Sequence, residues 1–263
     1  MKPFYFGSSQ QPLFGVYHAA AGPAARAGGI VICQPFGSEY IRAHRSLREL
    51  AQRLADAGLS VMRFDYYGCG DSGGGSDEGH VERWLEDIAL AIAEVREASG
   101  ASKLSLVGLR LGATLAALLA ARNGDVERLV LWEPVMNGEE YLAELAKRHR
   151  DFFDGRPKPR GLVESSPPDE LLGFPVSPSL RESIGRLDLL RLTRAPAPRI
   201  LLLSSVSEAA HPLLAHLEQL GTAADYEKLT GARVWVREGE LNQAVVPQPV
   251  LQRIASWFGE PRP

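Results

Sequence analysis

The chain has 263 residues, 45% of them hydrophobic and 23% charged, with a formal net charge of −3. That is enough to bury a substantial core, and it provides no basic excess for holding nucleic acid. No apolar run approaches the roughly 18 residues of a membrane helix, and the opening MKPFYFGSSQQ lacks the apolar stretch of a signal peptide, so a cytoplasmic location is expected. Cys33 and Cys69 form neither a metal-ligand spacing nor a disulfide framework; reduced thiols, no metal and no cofactor are expected.

KPFYFG and PLFGVYHAA, separated by SSQQ, predict two strands joined by a tight connection, forming a short antiparallel edge. GGIVICQP reads as a buried strand ending at Pro35 and Gly37, and apolar residues at helical spacing follow over Arg42 to Ala57. LSVMRFD is the next strand; it breaks at YYGCGDSGGGS, and a helix is predicted from about His80 to Ser99. Lys103 to Val107 is a short strand, Gly112 to Arg122 an alanine- and leucine-rich helix, and VERLVLW the sixth strand. The β-α-β-α-β-α-β order predicts an α/β fold with a mostly parallel central sheet and helices on both faces.

After Pro134 the pattern changes. Tyr141 to Arg150 is helical in spacing, and DGRPKPRGLVESSPPDELLGFPVSP is rich in proline and turn residues, which reads as a small inserted cap. PRILLLS resumes the strands, a helix is expected from about Pro212 to Leu220, ARVWVRE is expected as the last strand, and Val250 to Phe258 closes as a helix. The expected division is core 1–136, cap 137–190 and core 191–263.

A strand, a sharp turn bounded by Gly108 and Gly112, and a small-residue helix together resemble the nucleophile elbow of the α/β hydrolases. The phrases QPFGSEY, FDYYGCGDSGG and WEPVMNGEEYL stand in the same order as in that superfamily. More narrowly, PFGSEYIRAHR, RFDYYGCGDSGG and GLRLGA are similar to phrases of exosortase-A-associated hydrolases and their serine-aminopeptidase-like relatives. The resemblance implies a hydrolase fold with a cap and a small-molecule substrate carrying an acyl, ester or carboxylate group.

It also implies a nucleophile at position 110, a histidine after the last strand and a carboxylate to orient it. Position 110 is an arginine, whose guanidinium stays protonated and does not attack a carbonyl. No histidine occurs from Glu238 to the C-terminus. The carboxylates remain: Glu133 after the sixth strand, Glu208 after the seventh, and Glu240 or Glu238 in the last loop as a general base. By the resemblance, Phe36, Gly37, Ser38 and Leu111 supply the oxyanion-hole backbone, and His44 lines the pocket.

At a helix N-terminus an arginine strengthens an anion site, since its planar fork holds a carboxylate bidentately. Arg110 is therefore expected either to grip a substrate anion or carbonyl, or to sit in an internal salt bridge with Glu133, Glu208 or Glu240. Three functions stay open: an enzyme with a non-serine mechanism (elimination, cyclisation or acyl transfer included), a non-catalytic binding protein, and a hydrolase with a displaced nucleophile such as Ser38, Ser72, Thr114, Cys33 or Cys69. His80 and His211 suit capping or surface roles, and GCGDSGGGS lacks the lysine of a P-loop. Tyr141, Phe152, Phe153, Leu171, Leu172 and Phe174 of the cap supply either an apolar pocket wall or the packing of cap on core.

Overall fold

The structure, a computed structural model, describes residues 1–21, 28–154, 169–222, 224–230, 233–236 and 246–260. Strands β1 (Lys2–Ser8) and β2 (Gln11–His18) pair antiparallel, and β2 pairs antiparallel with β4 (Ser60–Phe64). From there the sheet is parallel: β4, β3 (Gly28–Cys33), β5 (Lys103–Leu109), β6 (Val126–Trp132), β9 (Arg199–Ser204) and β10 (Ala224–Lys228). This is the α/β-hydrolase fold, with the mostly parallel sheet that the sequence pattern predicts.

The central strands are buried along their length because both sheet faces are covered. One apolar cluster joins the sheet to α2 (Val81–Ser99), α3 (Leu111–Asn123) and α6 (Ser207–Gln219). The other joins it to α1 (Ser38–Asp56) and α7 (Gln248–Gly259). His80 caps α2, its Nδ1 accepting from the Glu82 amide, and Gly100 ends that helix in the left-handed region. Between β6 and β9 lie α4 (Gly138–Phe153), a small hairpin of β7 (Glu170–Leu171) with β8 (Phe174–Pro175), and α5 (Pro178–Gly185). The proline-rich stretch 155–168, expected in the cap, lies outside the described residues.

Three boundaries differ from the sequence reading. Helix α1 starts at Ser38, ahead of Arg42, because Gly37 turns the chain at positive φ and places Glu39 in the first helical turn. Helix α6 starts at Ser207 and carries Pro212 within it. The last strand among the described residues is ADYEK, Ala224–Lys228; of the expected strand ARVWVRE, residues 233–236 form a turn, and 232, 237 and 238 lie outside the described residues. An edge strand paired on one side and half exposed needs no apolar run, whereas Val234 and Trp235 are apolar because they pack from a turn into the α1–α7 cluster.

Candidate functional site

Strand β5 runs into α3 through a turn that leaves little room. A Cβ on Gly108 would sit 2.2 Å from Ala113 Cα, and one on Gly112 would sit 2.3 Å from the carbonyl oxygens of Cys33 and Gln34. Arg110 lies between them at φ 54°, ψ −123°, its amide donating to Trp132 O at 2.9 Å. A non-glycine residue at that φ is strained, and the neighbouring backbone contacts hold it there. The side chain thus stands at the head of α3, over the C-terminal ends of the strands.

Its partners come from α1 and α4. Arg110 Nε donates to Glu39 Oε1 at 3.2 Å, and Nη2 donates to Glu144 Oε2 at 2.6 Å. Glu39 is fully buried and also accepts from Arg148 Nη1 at 3.1 Å and from the Tyr141 hydroxyl at 2.9 Å. The Arg110 guanidinium lies 5.4 Å from the Tyr141 ring centroid and 5.5 Å from that of Trp235, within cation–π range. Two carboxylates face two guanidiniums, so the cluster is neutral. Burial raises the pKa of Glu39, opposed by Arg110, Arg148 and Tyr141. Burial works against the charge of Arg110, but Glu39 and Glu144 outweigh it and raise its pKa further.

Arg110, Tyr141 and Glu144 line a cleft of about 210 Å³ with Glu133, Asn137, Glu140, Ser204 and Val206. Glu133 shares this cleft without bonding Arg110; its carboxylate accepts from the Ser205 amide at 2.5 Å and from the Ser204 hydroxyl at 3.4 Å, tying β6 to the loop after β9. Glu208 is exposed in the first turn of α6. Glu238 and Glu240 lie outside the described residues. The internal salt bridge of Arg110 is therefore made with Glu39 and Glu144, and neither Glu133 nor Glu208 takes part.

Of the oxyanion-hole candidates, Phe36, Gly37 and Leu111 line a second recess of about 260 Å³ toward the β3–β4 side, and Ser38 opens α1 beside it. His44 is exposed on α1 against the Tyr40 ring, and it lines neither space. Its ring is partly desolvated by the atoms packed around it, which together with Arg63 lowers its pKa. Two of the candidate displaced nucleophiles have their hydroxyls engaged: Thr114 donates to Val135 O at 2.7 Å, and the Ser72 hydroxyl donates to Asp65 O. Burial pushes the Cys69 thiol up to about 12 and the Cys33 thiol higher still. Among cap residues, Tyr141 and Leu171 are buried and Phe174 lies 6.4 Å from Phe36, while Phe152 and Phe153 are exposed. Among the described residues no group of His, Cys, Asp or Glu has the makings of a metal site, and no helix is long and apolar enough to cross a membrane.

The sequence reading missed Glu39, Glu144 and Arg148. Glu39 left one trace: with Ala43, Ser46, Leu47 and Leu50 it occupies the buried stripe of α1, where an unpaired carboxylate is not tolerated. Glu144 and Arg148 left none, since charged residues one turn apart on a helix are ordinary on a solvated face.

The sequence pattern of the family described as serine aminopeptidase, S33, matches residues 30–173, from β3 through the elbow to the β7–β8 turn. The chain belongs to that family. No curated protein sequence matches it. In fold, this S33 family member is similar to Est1E from Butyrivibrio proteoclasticus with ferulic acid bound, at 14% identity and a TM-score of 0.68, with 97% of each chain covered. It is also similar to the Pyrococcus furiosus esterase Pf2001, at 14% identity and TM-score 0.69, covering 98% of this chain and 89% of that one. The proline iminopeptidase of Mycobacterium smegmatis aligns at 15% identity and TM-score 0.62 over 98% of both. At such identities the likeness is one of fold.

Proposed function

We propose that this S33 family member acts on a small molecule bearing an acyl, ester or carboxylate group, by a mechanism without a serine nucleophile. In this reading Arg110 stands at the nucleophile position and binds the ligand's anionic or carbonyl oxygen. The observation that carries it is the division of labour around the guanidinium: fully buried Glu39 fixes Nε, whereas Nη2 is held by Glu144, whose side chain is 42% exposed and lines the cleft. A ligand carboxylate exchanges for Glu144 at little cost, and the head of α3 adds its own attraction for negative charge. Glu144, once released, is a carboxylate beside the bound ligand and serves as the base for elimination, cyclisation or acyl transfer. Segment 137–190 acts as the cap, since its helix α4 supplies Tyr141, Glu144 and Arg148.

The test is turnover of a panel of acyl thioesters and aryl esters, with binding of small carboxylates read by thermal shift, on wild type and Arg110→Ala. Turnover by wild type and its loss in the variant is the expected result; equal turnover in both would remove Arg110 from the chemistry. The closed, neutral cluster favours a second reading, a non-catalytic binding protein, which predicts Arg110-dependent binding without turnover of any substrate.

A further inference from the structure

Strand β4 buries an arginine that no carboxylate among the described residues pairs. Arg63 is 8% exposed; its neighbours Met62 and Phe64 face the α2–α3 cluster, so its own side chain lies on the α1 face of the sheet with Val61. Its Nε donates to His18 Nε2 at 3.4 Å across the β2–β4 pair. The terminal nitrogens donate to no group among the described residues, and since neither is a sealed atom, both open to solvent. Asp65, two residues on, acts on Arg63 only from a distance, because its carboxylate already accepts from Gln34 Nε2, the Tyr40 hydroxyl and the Asp71 amide. Burial lowers the pKa of Arg63, and Tyr40 and Asp65 do not restore it; Arg110, paired with Glu39 and Glu144, is raised instead.

Further positive charge converges on the same place. Tyr40, His44 and Arg48 recur every fourth residue along the border of the buried stripe of α1, and the Tyr40 and His44 rings lie 5.6 Å apart. Arg48 lowers the pKa of Arg63, His44 and His18, and Arg63 lowers those of both histidines, so the four groups share one field. Arg48 is exposed and makes no salt bridge among the described residues. A largely desolvated guanidinium facing a second one is costly to keep without a counter-ion.

We propose that Arg63, Arg48 and His44 hold a small phosphoryl dianion at the seam between α1 and the β2–β4 pair. Two guanidiniums supply two positive charges, which a dianion balances and a single carboxylate does not. A phosphoryl group also offers three acceptor oxygens to donors on different elements, whereas a carboxylate fits one guanidinium fork. Arg63 is the fixed donor, since β4 holds its stem, and exposed Arg48 closes from the solvent side. A chain of net charge −3 with one such seam suits a small anion better than a polymer, which needs a broad basic face. The proposal is independent of Arg110 and of any chemistry in its cleft.

The experiment titrates inorganic phosphate, glycerol 3-phosphate and acetate into the full chain in Tris chloride, with affinity from calorimetry and location from the His44 ring resonances, assigned by their loss in His44→Gln. Phosphate should move those resonances with a Kd of about 1 mM or tighter, the strength of two charge-assisted hydrogen bonds, and acetate should act at least about tenfold more weakly. Tighter binding of glycerol 3-phosphate than of phosphate would identify an esterified phosphate as the ligand; the reverse would identify the free ion. Arg63→Met keeps the buried stem and removes the charge, and it should weaken phosphate about tenfold or more. Arg48→Ala, at an exposed position that leaves the fold intact, should do the same, whereas Arg45→Ala, on the next face of α1, should change affinity less than about twofold. Unmoved His44 resonances, unaltered affinity in Arg63→Met or Arg48→Ala, an equal loss in Arg45→Ala, acetate as tight as phosphate, or phosphate binding lost in Arg110→Ala instead would each overturn the proposal.

Discussion

Glu39 has no exposed surface, yet it is a carboxylate, and the fold tolerates it because Arg110, Arg148 and Tyr141 all bond to it. The two acids of the cluster should respond very differently to truncation. Glu39→Ala leaves Arg110 nine-tenths buried with one half-exposed partner, which costs about 3–5 kcal/mol, whereas Glu144→Ala removes a partly solvated ion pair and costs about 1 kcal/mol or less. Urea midpoints of the two variants measure the difference, and equal losses would show that Glu39 is not the anchor of the cluster.

Among the elements, the β5–α3 turn is the least forgiving. A methyl group at Gly112 meets two backbone carbonyl oxygens that no rotamer change can move, whereas one at Gly100, the left-handed end of α2, meets nothing within 4 Å. Gly112→Ala should therefore lose at least about 3 kcal/mol or fail to fold, and Gly100→Ala only about 1 kcal/mol, from its positive φ. Thermal denaturation of both tests this, and comparable melting points would mean that the turn can relax. The same packing positions Arg110: Gly112 lets α3 approach the end of β3, and α1, which follows β3, brings Glu39 alongside.

For the molecule as a whole, two buried groups on different elements set opposing responses to acid. Burial, aided by Arg63, lowers the pKa of His18 on β2 to about 4. Because the unfolded chain takes up that proton first, near 6.5, His18 removes stability as pH falls from 6.5 to 4, on the order of 3 kcal/mol in full. Burial raises Asp87 on α2 to about 6, against the bonds it accepts from the Tyr67 amide and Arg83. The folded chain takes up that proton first, so Asp87 adds a similar amount of stability as pH falls from 6 toward 3.8. The two contributions nearly cancel in wild type. His18→Gln should gain stability between pH 7 and pH 4.5 relative to wild type, and Asp87→Asn should lose it. Denaturant midpoints at the two pH values decide the matter, and identical pH slopes in both variants would contradict it.

The alternation of buried strands and amphipathic helices, and the glycines flanking position 110, were legible in the sequence because they are local: periodicity and close backbone approach leave marks within a few residues. That Arg110 heads α3 follows from the same short stretch. Its partners do not. Glu39 is 71 residues away and Glu144 is 34 away, and a carboxylate on a helix carries no label saying which cation it will meet. Only the approach of α1 and α4 over the strand ends decided that pairing, and it turned Glu133, the nearer candidate in sequence, toward Ser204 and Ser205. Strand β10 was hidden for a related reason: hydrophobicity reports burial, and a half-exposed edge strand leaves little of that signal while a buried turn leaves much.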